Sequence, residues 1–177
     1  MRSRLLSGLA CAAAVVLGAP AATATAAGSD FLAPPSACPH QNDSNLPVEV
    51  QEAAMACLVN RARDEADLVP LSRDPRLMDS AAQKARDVVT CGEFSHTACH
   101  LPFAERIVDA DYAFRRVGEN LGYGTGGAGS PRSIMADWLA SPAHRANILT
   151  LAFREQGVGL VDVGGAQVWV GHFARGR

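Results

Sequence analysis

Residues 154–173 read REQGVGLVDVGGAQVWVGHF. Val158, Leu160 and Asp162 alternate with glycines and valines, the period-two pattern of a strand. Gly164-Gly165 follows, two residues that tolerate the positive φ of a tight hairpin turn. Beyond it Val168, Val170 and His172 face one way and Trp169 and Phe173 the other. The chain is therefore expected to end in a β-hairpin.

Upstream of the hairpin the period becomes helical. Ser141-Pro142 and Ser130-Pro131 each combine a side chain that can accept an N-terminal N–H with a proline whose missing donor costs nothing at the first helical position. They open a short helix, AHRANIL, and a longer one with Ile134, Met135, Trp138 and Leu139 inward. Residues 122–130, GYGTGGAGS, read as a flexible loop, with a short strand expected before it near Arg116–Leu121. Asp74-Pro75 starts a helix to about Thr90 that buries Leu77, Met78, Ala81, Ala82, Ala85 and Val88 or Val89. Its alanines imply that another element approaches closely. A short helix is expected over Pro102–Asp109. Val48–Asp67 lacks glycine and proline and places Val50, Ala54, Cys57, Leu58 and Arg61 at helical spacing. Helices followed by a hairpin indicate an α+β or three-layer domain.

The amino terminus has a different character. Arg2 and Arg4 precede LLSGLACAAAVVL at 5–17, and small residues follow up to Ala27, as in a secretory signal peptide. Thirteen uncharged residues span about 20 Å, short of a bilayer core of about 30 Å, so an exported protein without a stable membrane anchor is expected. Residues 28–47, with Pro34, Pro35, Pro39 and Pro47, form an irregular lead-in, and residues 48–177 form the single domain. The 177 residues carry net charge −2. Removing the leader's two arginines leaves 14 basic against 18 acidic residues, net −4. Without a basic stripe there is no electrostatic footprint for nucleic acid. Cys38, Cys57, Cys91 and Cys99 remain and allow three disulfide pairings. The short spacings favour Cys38–Cys57 and Cys91–Cys99.

Chemistry-bearing motifs are sparse. His96 and His100 in HTACH have the i, i+4 spacing of a zinc protease helix, but Thr97 stands where the glutamate base belongs. No GxSxG nucleophile and no phosphate-binding glycine motif occur.

FSHT at 94–97, GENL at 118–121, SPAHRANIL at 141–149, REQGVG at 154–159 and VWVGHF at 168–173 occur together in the order found in bacterial members of the CAP superfamily, the SCP/PR-1-like domain, which the chain thereby resembles. LVNRAR at 58–63 with LVPLSRDPRL is similar to that family's opening helix and turn. The resemblance covers about residues 48–174. It implies a three-layer α-β-α sandwich and a cleft with two histidines and acidic residues, which in some members hold zinc or another divalent cation. By motif these are His96, His144 and Glu119. A second acid falls on Ser141 here, with Asp137 near it in sequence, and Gly171 replaces a usual glutamine. The resemblance further implies a secreted, extracellular, monomeric binding module for an unknown lipid-like or peptide ligand. The alternative is a metal-dependent extracellular hydrolase with Glu119 as base toward zinc-bound water.

Overall fold

The computed structural model describes residues 28–177, so the leader expected at 1–27 lies outside the described residues. Helix α1 spans Val48–Asp64, strand β1 Ser72–Arg73, α2 Pro75–Cys91, α3 Glu105–Asp109 and β2 Phe114–Thr125. Helices α4 (Pro131–Ala140) and α5 (Pro142–Ile148) follow, then strands β3 (Glu155–Val163) and β4 (Ala166–Gly176). The sheet order is β1-β3-β4-β2, with β1 parallel to β3 and the other pairs antiparallel.

The hairpin forms as its pattern requires. Gly164 and Gly165 adopt φ of 62° and 87° at its turn, and β4 becomes an interior strand with two buried faces. Trp169 and Phe173 pack with Met55, Leu58, Trp138 and Leu160 beneath α1 and α4. Val168 and Val170 pack on the other face with Ala81, Ala85 and Val88 of α2. Helices therefore cover both faces of the sheet, giving the α-β-α layering.

The alanines of α2 do mark a close approach. A Cβ on Gly157 would collide with the carbonyl carbon of Leu77, and one on Gly159 would collide with the backbone nitrogen of Ala82. Asp74 caps α2 by accepting the Arg76 N–H at 2.9 Å, and Ser130 accepts the Ser133 N–H at the start of α4. Ser141 holds the N-cap position of α5 without a side-chain capping bond. Both favoured disulfides are present, Cys38–Cys57 and Cys91–Cys99, with Cα separations of 5.8 and 5.5 Å. The first ties the irregular lead-in to α1.

Two local expectations are corrected, and the zinc-protease helix that Thr97 already argued against is absent. Strand β2 does not stop near Leu121 but continues to Thr125, because its ladder with β4 runs on to Thr125 opposite Ala166. The HTACH segment is not a helix that aligns two histidines. It holds only a 3-10 turn, Cys99 and His100 have positive φ, and the His100 side chain is 93% exposed. Helix α1 buries Ala54 and Leu58 as its apolar spacing suggested, but its buried face is wider and centred elsewhere, taking in Gln51, Glu52, Met55, Val59 and Arg63 while Val50, Cys57 and Arg61 are only partly buried. Those polar groups are inside because they have partners. Glu52 accepts the Leu160 N–H at 3.1 Å, and Arg63 donates to the carbonyls of Val69, Ile148 and Thr150 at 2.8–3.0 Å. Arg63 thereby places its cation at the carbonyl end of α5, where the helix dipole favours it.

Gly159→Val is expected to wedge α2 from the sheet and cost about 3 kcal/mol of folding stability, the upper range for overpacking. Urea unfolding would read this as a lower midpoint, against an unchanged midpoint for Val163→Ala at the exposed hairpin. Equal midpoints for Gly159→Val and the parent would contradict the close approach.

Candidate functional site

Strand β2 is an edge strand, and two side chains from the helices cover its outer edge. The Trp138 indole N–H donates to the Leu121 carbonyl at 2.8 Å, and the Asn147 amide donates to the Glu119 carbonyl at 3.0 Å. Asn147 also donates to Asn120 Oδ1 at 2.9 Å, while Asn120 donates to the His144 carbonyl at 3.1 Å. These bonds pin α5 beside the middle of β2. Trp138 and Asn147 thus serve the scaffold, satisfying edge groups that would otherwise be exposed or orphaned.

The Glu119 side chain points to the opposite face, toward α2, and is fully buried. His96 Nδ1–H donates to Oε1 at 2.6 Å, and His172 Nε2–H donates to Oε2 at 2.9 Å. His172 is the direct cross-strand partner of Glu119 and is itself completely buried. Behind it, Ser80 Oγ lies 2.8 Å from Nδ1. His96 sits in the loop closed by Cys91–Cys99, with its side chain 53% exposed. Lys84, buried in α2, donates from Nζ to the His96 carbonyl at 2.7 Å and holds that loop down.

The electrostatics follow from these contacts. The hydrogen bond to Glu119 raises the His96 pKa above its usual value, against a smaller opposing effect of burial. Burial alone would raise the Glu119 pKa, but the ring N–H groups of His172 and His96 and the charge of Lys84 hold it below the usual carboxylate range. His144 is lowered, first by burial and then by the charge of His96. The two cleft histidines are thus close enough to influence one another, although they come from opposite layers.

The structure brings His96 and Glu119 into contact and sets His144 near His96. Asp137 is exposed on α4, and its carboxylate makes no hydrogen bond or ion pair among the described residues. His172, Ser80 and Lys84 complete the cluster and escaped sequence reasoning. The available signals were the place of His172 on the inward side of the Val168–Val170 alternation, and the position of the chain's one lysine one turn beyond Ser80 on a buried helix face. Zinc is held by at least three protein ligands in structural and catalytic sites. No group of three or more His, Cys, Asp or Glu side chains that could hold an ion occurs among the described residues. Two imidazoles remain, with the carboxylate engaged behind one of them. This donor set does not fit a three-ligand zinc site.

A second feature lies further along the same layer. Val88, Val89, Phe94, Tyr123, Val163 and Val168 line an almost wholly apolar groove of about 540 Å³. Four of the seven large apolar side chains exposed among the described residues belong to it: Val89, Phe94, Tyr123 and Val163. Phe94 meets Tyr123 edge-on at 6.5 Å and lies two residues from His96.

Known proteins share both the sequence pattern and the fold. A family model described as the cysteine-rich secretory protein family, CAP, matches residues 57–173. The Bacillus subtilis (strain 168) protein YkwD, itself uncharacterised, is 30% identical over 128 residues, which are 71% of this chain and 48% of that protein. The chain thus spans about half the length of this curated relative. An extracellular protein containing an SCP domain from Bacillus anthracis str. Ames superposes with a TM-score of 0.65 at 25% identity, over 72% of this chain and 41% of that one. An outer surface protein of Borrelia burgdorferi shares the fold, with a TM-score of 0.68 at 18% identity, over 76% of this chain and 99% of that one.

The His96–Glu119 pair makes a pH prediction whose sign is fixed. The folded state holds the His96 proton more tightly than the unfolded chain. That stabilisation is complete below the unfolded value near 6.5 and is lost as pH rises through the higher folded value. Glu119 acts at the other end, since its contribution is present above the unfolded value near 4.5 and is lost as pH falls through the lower folded value. For His144 the slope opposes that of His96, because burial disfavours its proton and stability rises with pH across its window. Ring-resolved NMR titration should place His96 above 6.5 and His144 below it, with Glu119→Gln returning His96 toward 6.5. A reversed order of the two rings would remove the pairing.

Proposed function

The chain belongs to the cysteine-rich secretory protein (CAP) family, and from that premise we propose that it is a secreted, non-catalytic binding module that takes a lipid-like ligand in the apolar groove beside His96. The groove carries this reading. Its volume lies within the range of small-molecule sites. Its lining offers no charge and almost no hydrogen-bonding group. A peptide would leave its backbone N–H and C=O groups unpaired there, whereas an acyl chain asks for nothing else. The polar cluster around His96 at the neighbouring end of the layer suits the head of an amphiphile. Export is supported by two disulfides, by likeness to an extracellular SCP-domain protein and by the expected leader. No helix among the described residues is long and apolar enough to cross a membrane.

The hydrolytic alternative needs a base with a lone pair directed at water and a site for the metal that activates it. Both oxygens of Glu119 are engaged by ring nitrogens, and Ser80 is wholly buried and unable to meet a substrate. Neither feature favours turnover.

The test is saturable binding of a fluorescent fatty acid to the purified oxidised protein. Phe94→Asp places a charge in the groove at a residue that is already 56% exposed, so the fold should tolerate it. Affinity is expected to fall roughly tenfold or more, a change of about 1.4 kcal/mol. Absence of saturable binding, or equal affinity of Phe94→Asp and the parent, would dismiss the groove as the ligand site.

A further inference from the structure

The cluster around Glu119 contains more than a binding cleft requires. A carboxylate only accepts hydrogen bonds, so the neutral His172 ring must carry its proton on Nε2 to meet Oε2 at 2.9 Å. That tautomer leaves Nδ1 as an acceptor, and the Ser80 hydroxyl stands 2.8 Å from it and 3.0 Å from the Leu77 carbonyl, so its one proton is divided between these two acceptors. Ser80, His172 and the Glu119 side chain are all excluded from solvent, which makes this arrangement costly unless every member is satisfied. On the far side His96 Nδ1 occupies Oε1 at 2.6 Å. Lys84, one helical turn after Ser80, adds a buried ammonium whose Nζ is fixed on the His96 carbonyl. Its charge reaches both His96 and Glu119. A divalent ion approaching Glu119 would have to displace an imidazole from the carboxylate and sit beside this fixed cation.

We propose that Ser80, His172 and Lys84 make Glu119 a fixed hydrogen-bond acceptor that sets the tautomer and orientation of His96, so that the half-exposed ring presents its Nε2 edge outward and no divalent ion binds through the carboxylate. His172 is then a positioning residue acting through Glu119. It differs in kind from a histidine that merely fills the core, because its effect must appear on a ring it does not touch. The apolar groove has no part in this inference, which stands or falls separately from lipid binding.

The experiment uses the full exported chain with its disulfides intact. Long-range proton–nitrogen NMR at a pH where the rings are neutral reads each tautomer. His96 should be in the Nδ1–H form and His172 in the Nε2–H form. His172→Val should leave the His96 ring averaging between tautomers, and His172→Gln, whose amide can donate to Oε2 and accept from Ser80, should restore the single form. After exposure to zinc chloride and desalting, the parent protein should retain no zinc that Glu119→Gln removes. Zinc that survives Glu119→Gln places the carboxylate outside the coordination sphere, in agreement with the proposal. Stoichiometric zinc lost in Glu119→Gln would overturn it, as would an Nδ1–H tautomer at His172 or a His96 ring unmoved in His172→Val. If His172→Val fails to fold, the tautomers of the parent protein decide the matter alone.

Discussion

The register between β2 and β4 is the constraint on which the rest depends. With Glu119 opposite His172, Leu121 falls opposite Val170 and Tyr123 opposite Val168, all directed at α2. A slip of one residue would turn the carboxylate toward Asn147 and Phe153 and bring Asn120 toward α2 in its place. Two side chains of opposite chemistry, paired directly across the ladder, oppose that slip. Their hydrogen bond has full strength only at this alignment, because a lone buried carboxylate facing the apolar layer would cost several kcal/mol.

The same register decides how α5 joins the site. Residues that alternate with Glu119 and Leu121 face the other layer, so Asn120 is aimed at α5 while Glu119 is aimed at α2. The outward carbonyls of Glu119 and Leu121 receive Asn147 and Trp138. The edge of the sheet is thus closed by side chains and not by another strand. His96, from the α2 layer, bonds the Glu119 side chain, while the His144 carbonyl, from the opposite layer, bonds the next residue, Asn120. No single helix or strand carries both, and their separation of 48 positions records that.

This arrangement explains which parts of the molecule are legible in the sequence. The hairpin, the Asp74-Pro75 and Ser130-Pro131 helix starts and the inward faces of β4 follow from local rules, and the structure agrees with each. The 122–130 stretch departs from its local reading because Gly122 and Gly124 lose strand propensity yet gain a complete ladder with β4, a partner more than forty residues away. The buried face of α1 departs for a related reason. Apolar spacing does not register Gln51, Glu52 or Arg63, which are buried because backbone groups pair with them, in the lead-in for Gln51 and far along the chain for Glu52 and Arg63. His96, Glu119 and His144 come from family resemblance, whereas Ser80, Lys84 and His172 carry no motif. Their meaning exists only once β4 is laid beside β2 and α2 across both.

Seen along α2, the layer grades from polar to apolar. Ser80, Lys84 and Val88 recur every four residues on the buried stripe of the helix, about 12 Å from first to last. They face His172, Val170 and Val168 on β4, and Glu119, Leu121 and Tyr123 on β2, in the same direction. Each element therefore places its ionisable group at one end and its apolar groups at the other. The sorting has a physical reason, because buried charges are tolerable only when they satisfy one another, and a continuous cluster does so with fewer orphaned groups than scattered pairs would. Once Glu119, His172, Lys84 and Ser80 are concentrated at one end, the layer beyond Val170 is left without polar side chains. There the helix, the sheet and the disulfide-closed loop can diverge to leave an apolar groove, because the one buried carboxylate next to Val88, Asp87, is held by Arg106 and does not line it. The polar cluster and the groove are two outcomes of one segregation along the face shared by α2, β2 and β4.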